Sequence, residues 1–149
     1  MPLLKRKRLT EGQHRHFKKL RTELFKMQPR LRLLRRRLLG LGGEEICLVI
    51  REEDLELILK RGFVQDGKKA KLRLGVPCRC HTNSARLWEA NTAKRQIVTG
   101  WALSVDGIWR QHTWVLEGKT ILETTSWRTK YFGYALTPVE AKQFAYDNL

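Results

Sequence analysis

The sequence has no apolar run that approaches the roughly 20 residues a helix needs to cross a bilayer. The segment from Met1 to Arg8 lacks the apolar middle region of a secretion signal. Serine is absent from the first forty residues, while Glu11 and Glu23 are present, which disfavours an organelle-targeting peptide. We therefore expect a cytoplasmic protein with no transmembrane segment.

Cysteine is also scarce. The chain has only Cys47, Cys78 and Cys80, and this small, odd number argues against a disulfide framework. Cys47 lies inside an apolar run and is predicted to be a core residue. Internal repeats and a phosphate-cradling glycine motif are both missing from the sequence, and we expect no cofactor.

Acidic residues are few, and the net charge of +15 is unevenly distributed. Residues 1–43 hold 14 Lys or Arg and two Glu, which leaves a net charge of only +3 for residues 44–149. This composition predicts a basic amphipathic helical arm over residues 1–43 and an α+β domain over residues 44–149. Clustered positive charge attracts polyanions such as nucleic acid. The side chains expected to bind them are Lys18, Lys19, Arg30, Arg32, Arg35, Arg36 and Arg37.

The arm has the periodicity of two helices. Thr10 and Gln13 form a helix-start signature, and Pro29 either separates the first helix from a second or kinks one continuous helix. One face of the second helix is apolar and consists of Leu31, Leu34, Leu38 and Leu41. The helix is predicted to end at Gly40, Gly42 and Gly43. Three roles remain open for the arm: docking of the leucine face on the domain, nucleic-acid binding, and contact with a membrane surface or a partner helix.

Helices, short strands and loops are predicted at both ends of the domain. The sequence predicts a buried strand over residues 46–50, helices over 52–61 and 84–90, and an exposed loop over 65–73. A possible edge strand leads to the cysteines through Leu72, Leu74 and Val76. The aromatic stretch 130–134 is a loop or short strand, and Thr137 caps a final helix.

Three strands are predicted between these elements, over residues 97–105, 108–117 and 120–125. Asp106-Gly107 and Gly118-Lys119 both fit two-residue hairpin turns. The expected fold is therefore α+β, with an antiparallel sheet of three to five strands and a Cys-bearing helix packed on it.

The two turns also predict a register. Trp101 is expected opposite His112, and Trp114 opposite Glu123, which makes His112 and Glu123 diagonal neighbours. The predicted shared face holds Trp101, Leu103, His112, Trp114, Leu116, Ile121, Glu123 and Thr125. A buried imidazole and a buried carboxylate need partners, and each is the obvious partner of the other.

This pairing suggests thiol chemistry at Cys80. A helix start and a neighbouring imidazole both lower the pKa of a thiol, so His112 is the candidate base and Glu123 the group that orients it. Backbone amides near Cys80 are candidate oxyanion donors, together with the side chains of Gln111 and Asn83. Trp114 is expected to lie beside these groups.

These residues carry a resemblance to a known superfamily. Cys80 at a helix start, His112-Thr113-Trp114-Val115 on one strand and Glu123-Thr124 on the next resemble the catalytic core of transglutaminase-like and papain-like cysteine enzymes. Small uncharacterised bacterial and phage proteins share the more local pattern. The resemblance covers residues 76–125 and implies an α+β fold with acyl transfer or amide or peptide hydrolysis. Glu123 replaces the commoner Asp or Asn, and the substrate class does not transfer.

Two alternatives to this chemistry stay open. In the first alternative, the chain is a non-catalytic basic protein that binds nucleic acid or a ribonucleoprotein. In the second, zinc is held by Cys78, Cys80, His81 and His112, although the single residue between the cysteines is tighter than the usual spacing.

Overall fold

The computed structural model describes residues 7–149, so the predictions made for residues 1–6 lie outside it. Over the described range the chain is a mixed α and β protein, as predicted. Its helices are α1 (Glu11–Met27), α2 (Leu31–Leu41), α3 (Leu55–Arg61), α4 (Cys80–Glu89) and α5 (Pro138–Asn148). Its strands are β1 (Glu45–Ile46), β2 (Phe63–Asp66), β3 (Lys71–Leu72), β4 (Arg95–Ser104), β5 (Ile108–Glu117), β6 (Thr120–Glu123) and β7 (Arg128–Ala135).

The sheet is larger than predicted. Six strands run in the order β2-β7-β4-β5-β6-β3, and β1 pairs in parallel with the start of β5, so the expectation of three to five strands is wrong for the described residues. Strand β2 begins before the segment 65–73 that was predicted as a loop and runs into it, and β3 lies near the end of that segment. Of the possible edge strand through Leu72, Leu74 and Val76, only Leu72 is in a strand. Both β2 and β3 are short edge strands with mostly exposed side chains. The predicted strand over 46–50 ends early, because Val49 and Ile50 are exposed.

The two hairpins differ in how well their register was predicted. Glu117 pairs with Thr120 across a two-residue turn, as predicted. The hairpin between β4 and β5 is shifted by one residue, so His112 lies opposite Gly100 and not opposite Trp101. Its loop has three residues and ends at Gly107, whose φ of 86° is the left-handed conformation typical of such loops.

This shift redistributes the apolar side chains over the two faces of the sheet. Trp101 and Leu103 pack in a core cluster with α2, whereas Trp114 and Leu116 belong to a second cluster. The prediction that all four share the face of His112 is therefore wrong for Trp101 and Leu103. His112 lies on the side of Trp114 and Tyr131, since its ring lies 6.1 Å and 6.4 Å from theirs.

The N-terminal helices follow the predicted pattern of caps and breaks. Thr10 and Gln13 form the capping box of α1, and the chain leaves the helical conformation around Pro29. Three of the six leucines of α2 are completely buried in the same cluster as Trp101 and Trp109; they are Leu31, Leu34 and Leu38. The leucine face of the predicted arm thus shares one core with residues of the predicted domain.

The remaining helices bound the sheet. Helix α3 begins at Leu55, three residues later than predicted, and α4 begins at Cys80, four residues earlier. The predicted cap of α5 is present as a capping box between Thr137 and Glu140. Among residues 7–149, no helix combines the length and the apolar character that crossing a membrane requires.

Candidate active site

Cys80 is the first residue of α4 and follows a tight loop. Asn83, one turn into the helix, holds this loop because its amide accepts a hydrogen bond from the Val76 N–H (3.0 Å) and donates one to the Val76 carbonyl (2.8 Å). Gly75 lies against the same amide, and a Cβ there would lie 2.4 Å from the Asn83 Cγ. Asn83 and Gly75 therefore hold the loop that precedes α4, and this loop determines the position of Cys80.

His112 lies near the middle of β5, with 3% of its surface exposed. Its Nε2 atom lies 2.8 Å from Oε1 of Glu123 on the neighbouring strand β6. A carboxylate only accepts hydrogen bonds, so Nε2 carries a proton and donates a hydrogen bond to Glu123. Nδ1 is then the ring nitrogen left to interact with a second group.

Glu123 is completely buried, and both of its oxygens have two partners. Oε1 accepts hydrogen bonds from His112 and from the Tyr131 hydroxyl, both at 2.8 Å. Oε2 accepts from the Thr125 N–H at 2.9 Å and from the Thr125 hydroxyl at 3.0 Å. Burial would raise the pKa of Glu123, but these donors and the charge of His112 outweigh burial and hold it below its ordinary value.

The thiol of Cys80 forms a hydrogen bond with the imidazole of His112. Burial raises the pKa of Cys80. A hydrogen bond to His112, the imidazolium charge and a hydrogen bond to the Thr113 backbone lower it by more than burial raises it, so the thiol pKa lies below its ordinary value. Burial lowers the pKa of His112, while Cys80 and Glu123 raise it, and the resulting pKa lies above its ordinary value. Opposite shifts of this kind favour a thiolate beside an imidazolium.

A cavity of about 270 Å³ opens beside His112. Gly100 forms one wall because it lies opposite His112 and carries no side chain. The other walls come from Gln111, His81 and the segment between β1 and α3; that segment contributes Ile50, Arg51, Glu52, Glu53 and Asp54. The cavity gives a small group access to the imidazole.

The three additional residues predicted around the site have different positions. Gln111 lines the cavity next to His112, and its side chain forms a hydrogen bond with Glu52. Asn83 is occupied with Val76 and serves to hold the loop. Trp114 is fully buried and stacks beside the imidazole, with an angle of 22° between the ring planes.

The sequence did not single out several groups that complete the site. Tyr131 comes from β7, which is not adjacent to β6 in the sheet, so no local pattern links it to Glu123. Glu52 is buried beside the cavity; Trp101 Nε1 donates to it at 2.8 Å, and burial raises its pKa. Thr125 was predicted to share a face with Glu123 on one strand, but β6 ends at Glu123, and Thr125 binds the carboxylate from the segment that follows.

The predicted nucleic-acid-binding residues fall into two groups. Four have partners within the protein: Arg30 pairs with Glu56, Arg32 lies over Phe25, Arg35 lies 3.9 Å from Glu45, and Arg37 lies over Phe132. Lys18, Lys19 and Arg36 point into solvent.

The zinc alternative finds no support in this geometry. Within residues 7–149, no three His, Cys, Asp or Glu side chains come together as a metal site. Cys80 and His112 interact with each other, while Cys78 is exposed on the loop and the His81 ring packs edge-on against Phe144 at 5.4 Å.

Comparisons of the chain with protein-family models, with curated proteins and with solved structures find no match. The resemblance to transglutaminase-like and papain-like enzymes thus stays a prediction from the sequence.

Proposed function

We propose that the protein is a cysteine-dependent acyl transferase or amide hydrolase that uses Cys80, His112 and Glu123. The observation that carries the proposal is the buried 2.8 Å bond between His112 Nε2 and Glu123, which leaves Nδ1 for the Cys80 thiol. A nucleophile, a base and a group that orients the base are the parts that covalent acyl transfer needs.

The proposed reaction proceeds in two steps. The Cys80 thiolate attacks the carbonyl carbon of an amide or ester, and the His112 imidazolium gives its Nδ1 proton to the leaving amine or alcohol. A water or amine then attacks the thioester carbonyl while Nδ1 takes up its proton, and the Cys80 thiolate leaves. Glu123 stabilises the imidazolium in both steps and does not take up a proton.

Stabilisation of the oxyanion falls to groups at the start of α4. N–H groups in the first turn of a helix have no carbonyl one turn earlier to bind, and the helix dipole favours negative charge there. The N–H of Cys80 is such a group, and the Gln111 amide at the cavity wall is a candidate second donor.

An activated ester tests this function directly. Incubation with p-nitrophenyl acetate should give a rapid release of nitrophenol and one acetyl group on Cys80, detected by peptide mass spectrometry. Cys80→Ala and His112→Gln should abolish both, while Cys78→Ser should leave them unchanged. Equal acetylation of Cys78 or Cys47 in the wild-type protein would contradict the proposal.

A second candidate function is polyanion binding through α1 and α2. It is favoured by the exposure of Lys18, Lys19 and Arg36 on the outer surface of these helices. Replacing all three with Glu should weaken binding to an oligonucleotide and make its salt dependence shallower. The matched control reverses the charges of Lys68, Lys69 and Lys119, which are also exposed. Binding that does not depend on salt would rule this function out.

A further inference from the structure

Two of the three cysteines lie on either side of Arg79, where the loop that carries Cys78 leads into the start of α4 at Cys80. Cys78 is exposed, whereas Cys80 is half-buried against His112. Cys78 also has a φ of 61°, and it is the one non-glycine residue with a positive φ in residues 7–149. A side chain with a Cβ rarely adopts this conformation, and residues that do so cluster at functional sites.

The spacing of these cysteines suits a covalent bond between them. Two consecutive Cα–Cα steps of 3.8 Å place the Cα atoms of Cys78 and Cys80 at most about 7 Å apart. Arg79 has φ −119° and ψ 50°, which is not an extended conformation and so shortens this separation. Disulfides span Cα distances of roughly 4.4–6.8 Å. The separation of the two Cα atoms is therefore within the range that a disulfide spans, and Cys80 is the first residue of α4.

We infer that Cys78 and Cys80 form an oxidative modification site, in which a hydroperoxide oxidises Cys80 and Cys78 captures it as a reversible disulfide. The inference rests on the proposed function, because the interaction with His112 that prepares Cys80 for acyl transfer also makes it the thiol that peroxides attack.

The chemistry balances without any further oxidant. The Cys80 thiolate attacks the outer oxygen of the hydroperoxide, an S–O bond forms, and the O–O bond breaks. The alkoxide or hydroxide that leaves takes a proton from the His112 imidazolium. The Cys78 sulfur then attacks the sulfenic sulfur, the S–S bond forms, and water leaves with the Cys78 proton. The sulfur atoms are oxidised by two electrons in total, and the peroxide is reduced by two. A dithiol reverses the modification by thiol–disulfide exchange.

The disulfide would inactivate the candidate active site. A sulfur bound to Cys78 cannot attack a carbonyl, and Cys80 must turn away from His112 to reach the exposed loop. At the same time the bond protects Cys80 from sulfinic acid, which thiols do not reduce.

Treatment of the full chain with a small excess of hydrogen peroxide tests the inference. Trypsin cleaves after Arg73, Arg79 and Arg86, so the disulfide should appear as the peptide 74–79 linked to the peptide 80–86. Dithiothreitol should then restore labelling of Cys80 by iodoacetamide almost completely. In Cys78→Ser, the same treatment should leave most of Cys80 as sulfinic acid, and dithiothreitol should restore little labelling. Cys47→Ser is the matched control and should behave as the wild type does.

Three outcomes would overturn the inference: a disulfide that joins Cys47, full recovery of labelling in Cys78→Ser, or no oxidation of Cys80. Failure of the proposed function is recognised separately, from the reduced protein before peroxide is added. If reduced Cys80 shows no acetylation by p-nitrophenyl acetate while the linked peptides still form, the oxidation site stands and the acyl-transfer proposal fails.

Discussion

Glu123 is the residue on which the electrostatics of the site depend. A carboxylate without exposed surface is costly unless hydrogen bonds replace its water, and here four donors do so. Tyr131 and Thr125 stabilise the ionised carboxylate, which in turn stabilises a proton on His112. The imidazolium then stabilises a thiolate on Cys80. Each group in this series shifts the pKa of the next.

The pH dependence of Cys80 reactivity follows from these shifts. The thiolate is lost as the pH falls through the lowered pKa of Cys80, so alkylation by iodoacetamide should reach its plateau at a lower pH than an ordinary thiol, whose pKa is about 8.5. Acyl transfer also needs the imidazolium, which is lost as the pH rises through the raised pKa of His112. Alkylation should thus level off at high pH, whereas acetylation falls again. An alkylation midpoint at or above 8.5 would contradict the thiolate–imidazolium pair.

Glu123→Gln removes the charge and keeps the size of the side chain. The imidazolium loses its anion, the pKa of His112 falls and that of Cys80 rises, because the thiolate loses its cation. Alkylation near pH 6 should therefore slow by about tenfold, because a smaller fraction of Cys80 is ionised there. Glu117→Gln is the control, since Glu117 is partly exposed at the end of β5. Unchanged alkylation in Glu123→Gln would separate Glu123 from the thiol.

Part of this site could be predicted from local patterns. The two-residue turn after Glu117 and the alternation of side chains were enough to bring His112 and Glu123 together. Tyr131 was beyond this reasoning, because its strand reaches the site from the far side of β4. Long-range pairing of this kind leaves no signal at a fixed spacing in the sequence.

At the scale of elements, the hairpin between β4 and β5 shows where turn chemistry misleads. Asp106-Gly107 resembles a two-residue turn, but the Asp106 carboxylate accepts hydrogen bonds from the Ile108 N–H and from Arg110. The Gly107 N–H donates to the Ser104 carbonyl, and the loop closes with three residues. The shift of one residue brings Gly100 opposite His112 and leaves the space that becomes the cavity.

Glycine also allows strands β4 and β7 to approach each other closely at this point. Gly100 pairs with Gly133, and a Cβ at Gly133 would lie 2.4 Å from the Thr99 carbonyl oxygen and 2.8 Å from the Trp114 ring. Neither neighbour has room to move, because one is backbone and the other is fully buried. The close approach holds Trp114 where it can stack beside His112.

Two glycine substitutions should therefore have opposite effects on stability. Gly133→Ala is expected to lower the free energy of unfolding by about 1–3 kcal/mol through overpacking. Gly40→Ala should raise it by about 0.5–1 kcal/mol, since Gly40 lies inside α2, where a Cβ would meet nothing within 4 Å. Urea unfolding followed by circular dichroism measures both. Destabilisation by Gly40→Ala, or none by Gly133→Ala, would contradict this account.

At the scale of the whole molecule, the N-terminal helices and the sheet are joined by polar contacts as well as by their core. Trp109 Nε1 donates to the Gly42 carbonyl at 2.9 Å, and Lys130 Nζ donates to the Leu41 carbonyl at 2.7 Å. Buried Glu45 binds His14 and Arg21 of α1, each at 2.9 Å. Segments that look separable by charge are therefore held together by burial.

Deletion of residues 1–43 should consequently abolish folding. It removes Leu31, Leu34 and Leu38 and exposes the sheet residues that they cover, and each buried leucine contributes about 1.5–3 kcal/mol. Circular dichroism of the truncated chain should show no cooperative unfolding transition. A truncated chain that unfolds cooperatively would mean that the first 43 residues are dispensable. Charge reversal of exposed lysines is the sounder way to examine polyanion binding.

The burial of α2 also has a consequence for biosynthesis. The leucines of this helix leave the ribosome before the strands that cover them and before Ala141 and Ala145, which belong to the same core. Until the core has formed, the apolar face of this arginine-rich helix is exposed on the nascent polypeptide. Termination of translation before Ala141 should yield aggregates, and chaperones that bind the nascent chain would prevent this.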